Sequence, residues 1–450
     1  MAGYQKLDVL LREELDAFYE EGYDIDKNTL TAEIDAAVGN KEKLMAIYDR
    51  LLGAGMRSDF PYVEPSELDE IFAQSSPNSV RTAEPVSDFN KFYGAWLGRC
   101  IGCALGQPVE LWSHTNIRKW FEQAGKYPID GYVPTHSPAE ADGLRPGVLG
   151  STDENIKFMG TDDDLRYTVL GLVLLNSKGA NFDTYDVGAN WVYRLPYRDL
   201  CTAENQAYLN FANVDEFGPW GKPANAMEYF KRDKVSTYLN PYREWIGAQI
   251  RIDAYGYAAA GNPMLAAKMA HTDAYLSHTK NGIYGSMFFA ALIAAAFNEK
   301  DIDKCIETAL SFIPVKSRFY EMVGIASEIG RNAKSDDELI EKVQALYPGM
   351  SWVHTLNNAA LCIACITYSK GSFSKAVSLS VACGLDTDCN GATVGSFMGA
   401  LLGETGIDDK WKAPLNDTLY SGVLEYNPVK ISEIAEKTMS IHNKVFNEVK

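Results

Sequence analysis

The chain is short of several things, and each shortage removes a class of protein. Eight cysteines in 450 residues are too few for a disulfide framework. Basic residues are outnumbered, with 42 Lys and Arg against 60 Asp and Glu and a formal charge of -18. Phosphate neutralisation needs a basic stripe, so no nucleic-acid partner is expected. An anionic membrane surface is disfavoured for the same reason. Long apolar runs are missing too. The longest, Met287 to Phe297 (MFFAALIAAAF), falls well short of the roughly 20 residues that cross a bilayer and reads as a buried helix. The N-terminal stretch MAGYQKLDVLLREELDAFYEEGYD has scattered acids and no apolar core of a secretory signal, so the cytoplasm is the expected compartment. Alternating strand patterns are scarce and no internal repeat is visible.

What remains is an ordinary globular composition, 46% hydrophobic, 12% aromatic and 23% charged, which rules out a disordered or collagenous chain. Its patterning is helical nearly throughout. Leu7, Leu10, Leu11, Leu15 and Phe18 recur at helical spacing, as do Leu44, Ile47, Tyr48, Leu51 and Leu52. A stretch punctuated by Pro61, Pro65, Pro77 and Pro85 follows, with room for one short helix capped by Ser66 and Asp69. Residues 1–87 are therefore expected to form a helical extension and linker, and residues 88–450 the main all-α body. Inside the body, Asn262 and Pro263 make an N-cap followed by proline at the first helical position. Gly- and Ala-rich segments such as GATVGSFMGALLG permit close helix packing. Two CxxC pairs, Cys100/Cys103 and Cys362/Cys365, lie in apolar helical patterns and read as buried cysteines better than as a four-thiolate zinc site.

Two acidic constellations carry the chemistry. Thr161-Asp162-Asp163-Asp164 stands immediately before LRYTVLGLVLL, a helical pattern ending at Gly179. One acid at a helix N-terminus is a routine cap. Three adjacent acids repel one another, which suggests a cation between them. Asp386-Thr387-Asp388 precedes a second helix. Helical positions two apart diverge, so the two carboxylates converge only if the backbone is irregular, and Gly384 and Gly391 allow that. Such oxygen donors suit Mg²⁺ or Mn²⁺.

Four blocks in this order resemble the ADP-ribosylglycohydrolase family: FYGAWLGRCIGCALGQPVE, TDDDLRYTVLGLVLL, AGNPMLAAKMAHTDAYLSHTKNGIYGSMFFAALIAAAF and ACGLDTDCNGATVGSFMGALLG. The resemblance covers roughly residues 88 to 405. It implies an all-α orthogonal helical bundle with a binuclear Mg²⁺ centre (Mn²⁺ being possible) at the base of a cleft. It places Thr161, Asp162, Asp163, Asp386, Asp388 and Glu110 on metal positions, with Glu110 and Asp163 as the catalytic acids. It places His278 on a substrate-contacting histidine, and Asn281, Gly282 and Tyr284 on the cleft wall. Arg251 and Asp253 fall where substrate phosphate or ribose would lie, although a buried Arg–Asp pair joining two helices explains them equally well. Two positions depart from the family pattern. Cys103 replaces an aspartate, and Cys389 replaces a threonine ligand. A thiol is a poor ligand for a hard cation, so one metal position is expected to be completed by water.

The activity implied is metal-dependent hydrolysis of an N- or O-ribosyl bond, with a small-molecule conjugate or an ADP-ribosylated protein as substrate. Hydrolysis at an anomeric carbon passes through an oxocarbenium-like state and calls for paired acids. No Ser-His-Asp or Cys-His arrangement is apparent, so no nucleophile is assigned. The alternatives are another ribosyl or small glycoside substrate, a phosphoester hydrolase built on the same metals, and a non-catalytic ADP-ribose- or nucleotide-binding module. The oligomeric state is left open.

Overall fold

Apolar residues at helical spacing become helices along the chain in the computed structural model, which describes residues 3–77, 79–218 and 221–449. Helices α1 (Leu7–Glu20), α2 (Lys27–Ala37) and α3 (Lys41–Leu52) close around a small core of Leu10, Leu11, Leu15, Phe18, Ile34, Leu44, Ile47, Tyr48 and Leu51. Leu52, expected on the same face, is 41% exposed at the end of α3. The short helix of the proline-rich stretch is α4 (Leu68–Ala73). Ser66 and Asp69 do not cap it as expected. Its N-cap is Glu67, without a side-chain cap bond, and the Ser66 hydroxyl accepts instead from the Lys280 N–H at 3.0 Å. A tertiary donor has taken the oxygen that a local turn would have used.

The body continues with α5 (Phe89–Gly106), α6 (His114–Gln123), α7 (Asp163–Lys178), α8 (Thr184–Arg194), α9 (Thr202–Ala212) and α10 (Ala226–Arg232). Then come α11 (Asp253–Ala258), α12 (Pro263–Ala274), α13 (Lys280–Ala296), α14 (Ile302–Leu310), α15 (Arg318–Asn332) and α16 (Asp336–Gln344). The chain closes with α17 (Thr355–Ser369), α18 (Phe373–Ala382), α19 (Thr387–Leu402), α20 (Asp409–Lys412) and α21 (Ile431–Glu448). A two-stranded antiparallel ribbon, β1 (Thr418–Leu419) with β2 (Val429–Lys430), is the only sheet among the described residues. The caps follow the expected chemistry at several ends. Asn262 accepts from the Leu265 N–H, Asp88 from the Asn90 N–H, and α7 stops at Gly179. No described helix is long and apolar enough to cross a membrane.

Two antiparallel helices, α5 and α19, form the axis. Every fourth residue on α5 is a glycine (Gly94, Gly98, Gly102, Gly106), and these meet Gly399, Gly395, Gly391 and Thr387 in reverse order. A methyl carbon on Gly94 would lie 2.5 Å from the Gly399 carbonyl oxygen, and on Gly98 or Gly102 it would overlap the facing carbonyl outright. The backbones therefore touch, an approach closed to any residue with a Cβ. This geometry brings the C-terminal end of α5 against the N-terminal end of α19, where the Thr387 hydroxyl donates to the Gly106 carbonyl at 2.9 Å.

The N-terminal helices dock onto the body through buried ions. Arg243 reaches Glu14 at 2.7 Å and Glu21 at 2.6 Å, and all three side chains are under a tenth exposed. Arg318 bridges Glu64 at 2.6 Å and Glu244 at 2.9 Å. Arg243→Ala would leave the buried Glu14 without its cation, while Glu21 keeps Lys280 at 2.6 Å, at a cost of about 3–5 kcal/mol. We expect a matching drop in urea-unfolding free energy and faster proteolytic release of the first three helices. An unchanged midpoint would contradict this docking account.

Candidate metal centre

The α5–α19 contact positions the acids. Beyond Gly106 the chain makes a tight turn over Gln107–Val109, and Glu110 follows at a solvent-accessible position. Opposite it, Gly384 and Leu385 adopt left-handed backbone, with φ of +76° and +61°. Asp386 then becomes the N-cap residue of α19, and Asp388 lies in its first turn. This is the irregular approach that convergence of the two aspartates requires. Ligand atoms of Glu110, Asp386 and Asp388 all fall within 4.8 Å of one another.

The second cluster arrives from α7. Asp162 caps the helix, one oxygen accepting from the Asp164 N–H at 3.0 Å and the other from the Gln107 side-chain amide at 2.7 Å. Gln107 is itself held by the Ser151 hydroxyl at 2.7 Å. Successive residues at a helix start point in different directions. Asp164 turns inward and is fully buried, while Asp163 remains half-buried beside the cluster. Asp164 joins Cys103 and Asp162 in one group within 4.8 Å, and Asp388 and Cys389 in another. Arg99, one turn before Cys103 on α5, lies 3.3 Å from Asp164 and 2.9 Å from Asp253. Thr161 sits at the exposed rim, where its hydroxyl accepts from Arg166 at 3.2 Å.

Crowding of like charges away from water shows in the proton affinities. Burial first, then Asp386 and Asp162, pushes Glu110 up to about 7. Burial also pushes Asp386 up to about 6. Asp163, Asp164 and Asp388 are all raised well above the ordinary carboxylate range, by burial first and then by the charges of Asp162 and Asp386, with Arg99 opposing the shift at Asp164. One oxygen of Asp164 and one of Asp388 are buried with no hydrogen-bond partner. Orphaned, repelling carboxylates are costly unless a cation neutralises them.

A pH signature follows from the two numbers. A carboxyl whose folded value is raised holds its proton better in the folded chain, so its contribution to stability is present at low pH and lost as pH rises. For Glu110 and Asp386 the window runs from the ordinary 4.5 and 3.8 to about 7 and about 6. The metal-free melting temperature should therefore fall between about pH 4 and pH 7. A divalent cation, which binds the ionised form, should give a stabilisation that grows over the same interval. A thermal-shift series with and without Mg²⁺ checks this, and a cation increment independent of pH would contradict it.

The remaining residues named by the resemblance are buried, and none of them belongs to these ligand groups. Arg251 pairs with Asp273 and, at 2.5 Å, with Glu204. His278, fully buried and held neutral by burial and by Arg251, lies against the Ser277 hydroxyl at 2.8 Å. Asn281 donates to Glu244 and accepts from the Phe319 N–H, and Tyr284 donates to the Pro65 carbonyl at 2.5 Å. Gly282 packs on the Arg243 carbonyl. Arg251 and Asp253 thus belong to two different ion pairs rather than to one. Glu204 connects Arg251 to the acids, since it contributes to the raised affinity of Asp163.

The sequence reading placed Asp164 in the acidic run but gave it no metal position, and it missed Gln107 as the group that orients Asp162. A visible signal existed for Arg99 and Cys103, which are four residues apart and so share a helix face. The two CxxC pairs do not assemble into one site. Cys365 instead approaches Cys383 at 3.9 Å, and no ligand group among the described residues joins the pairs.

A family profile described as ADP-ribosylglycohydrolase matches residues 84–444. No curated protein matches. A solved "ADP-ribosylglycohydrolase-related protein complex" shares 16% identity, with 79% of this chain and 98% of that one covered and a TM-score of 0.48. The profile takes in both acid clusters and the α5–α19 axis that joins them, and by it the chain belongs to the ADP-ribosylglycohydrolase family.

Proposed function

We propose that this chain is a divalent-metal-dependent glycosidase that cleaves an N- or O-ribosyl bond, with an ADP-ribosyl group on a protein side chain or a related conjugate as first substrate. The observation that carries this reading is the convergence of Glu110, Asp386 and Asp388, with an orphaned Asp388 oxygen at its base. Those donors fit Mg²⁺ or Mn²⁺, and by family resemblance Thr161, Asp162 and Asp163 complete the set. Bound there, the ions would supply positive charge that holds an oxygen-rich ligand and offsets the repulsion among the acids.

The chain's own groups would do the rest. Glu110 is reachable from solvent and holds its proton up to about pH 7, so it can take a proton from water or return one to a leaving group near neutrality. Asp163, half-buried and raised first by burial and then by Asp162, would be the second acid. Asp162, fixed by Gln107 and its own helix N-terminus, would hold position rather than move protons.

The test is a mass-spectrometric screen of metal-stripped and Mg²⁺-loaded protein against ribosylated arginine and serine, other ADP-ribose conjugates and simple nucleosides. Mg²⁺-dependent release of a ribosyl product is expected, with Glu110→Gln slowing turnover about 10²–10⁴-fold. Undiminished turnover after chelation would contradict the reading. The thiols at 103 and 389 favour a second reading, a binding module without turnover. Stabilisation by ADP-ribose plus Mg²⁺ with every conjugate left intact would support it.

A further inference from the structure

We infer that the inner half of this centre is a sulfur-containing site that selects a borderline-soft divalent cation, with Zn²⁺ the expected ion, through Cys389, Asp164 and Asp388, with Cys103 on the other side of Asp164. The two thiols are not scattered through the core. Cys389 lies with Asp164 and Asp388, and Cys103 lies with Asp162 and Asp164, each group having its donor atoms within 4.8 Å of one another. Donors bound tetrahedrally to one Zn²⁺ at about 2.0–2.3 Å stand about 3.3–3.8 Å apart, so each group would draw inward by up to about 1.5 Å to close on an ion.

Independent of the thiols, Asp164 and Asp388 each bury one oxygen that no hydrogen bond satisfies, and the two residues are 0% and 5% exposed. All eight cysteines are free, so neither thiol is committed to a disulfide. The outer half differs in kind. Glu110, Asp386 and Asp388 offer oxygen alone and include the solvent-accessible member. Asp388 belongs to both halves, so the centre presents two adjoining donor sets of unequal softness. Thiolate ligands favour zinc over magnesium by a wide margin, and all-oxygen sets suit magnesium and manganese. Binding is balanced by release of the thiol protons to solvent as Zn–S bonds form, with no change of oxidation state. This replaces the expectation that water completes the position of Cys389.

The inference rests on the acids forming a metal centre and does not depend on turnover. The reduced full-length protein is stripped, exposed to Zn²⁺ or Co²⁺ in excess Mg²⁺ and desalted. About one zinc per chain should be retained, with a mixed sulfur and oxygen shell and a Zn–S distance near 2.3 Å by X-ray absorption. The cobalt form should show thiolate-to-cobalt charge-transfer absorption. Cys103→Ser/Cys389→Ser should abolish that band and zinc retention, whereas Cys362→Ser/Cys365→Ser should preserve both. Failure to retain zinc against Mg²⁺, an all-oxygen shell in the wild-type protein, or a band that survives in the first double variant would overturn the inference. Zinc retained as described, with no ribosyl conjugate cleaved, would count against the glycosidase reading and leave the inner site standing.

Discussion

Asp388→Asn should make the metal-free protein more stable and the metal-loaded protein inactive. Asp388 belongs to both ligand groups, is 5% exposed and carries an unpartnered oxygen. Without a cation its charge faces Asp162, Asp386 and Glu110, and these, after burial itself, raise its proton affinity. An amide keeps the shape and removes the charge. Leaving a charged group buried and unsatisfied costs about 1–3 kcal/mol or more, so relief of that order should appear as a higher melting temperature near neutral pH. The same change removes a donor common to both halves. Divalent cations should then stabilise the variant little or not at all, and turnover should fall by at least about 100-fold, beyond what loss of an outer-shell partner causes. Destabilisation of the metal-free variant would mean that Asp388 is a structural acid.

The second large effect is steric. Gly98→Ala adds one carbon on a helix, a change that by propensity alone favours folding by about 1 kcal/mol. On α5 that carbon would overlap the Gly395 carbonyl, which is backbone and cannot rotate away. Overpacking of this kind costs about 3 kcal/mol or more, so the net sign reverses. Because the helix contact also sets the distance between Glu110 and Asp388, cation affinity should weaken even where the variant still folds. Gly324→Ala on α15, with nothing within 4 Å of the added carbon, is the internal control and should be neutral or stabilising. Urea midpoints for the two variants check this, and equal effects would contradict a backbone-contact axis.

Features decided by near neighbours were legible in the sequence. The all-α class, the Asn262–Pro263 helix start, the end of α7 at Gly179 and the irregular approach to Asp386 and Asp388 all follow from patterns a few residues long. Which member of an acidic run turns inward was not, because Asp163 and Asp164 differ only in helix phase and the packing partner, Arg99, lies far away in the chain. By its local pattern Cys103 read as a small apolar residue, and only the resemblance set it on an aspartate position. Only the meeting of α5 with α7 puts carboxylates beside its sulfur. Ser66 failed as a cap because a donor from α13 reached it first. The docking of the N-terminal helices depends on pairs such as Arg243 with Glu14 and Glu21, which no local pattern announces.

The most direct test of the central claim is hydrolysis of an ADP-ribosyl conjugate in ¹⁸O-labelled water by the Mg²⁺-loaded protein, with products read by mass spectrometry. A glycosidase working through these acids places the label on the ribose C1 hydroxyl and leaves the pyrophosphate intact. Label on phosphate with release of AMP, or no labelled product from any conjugate at full metal occupancy, would contradict it.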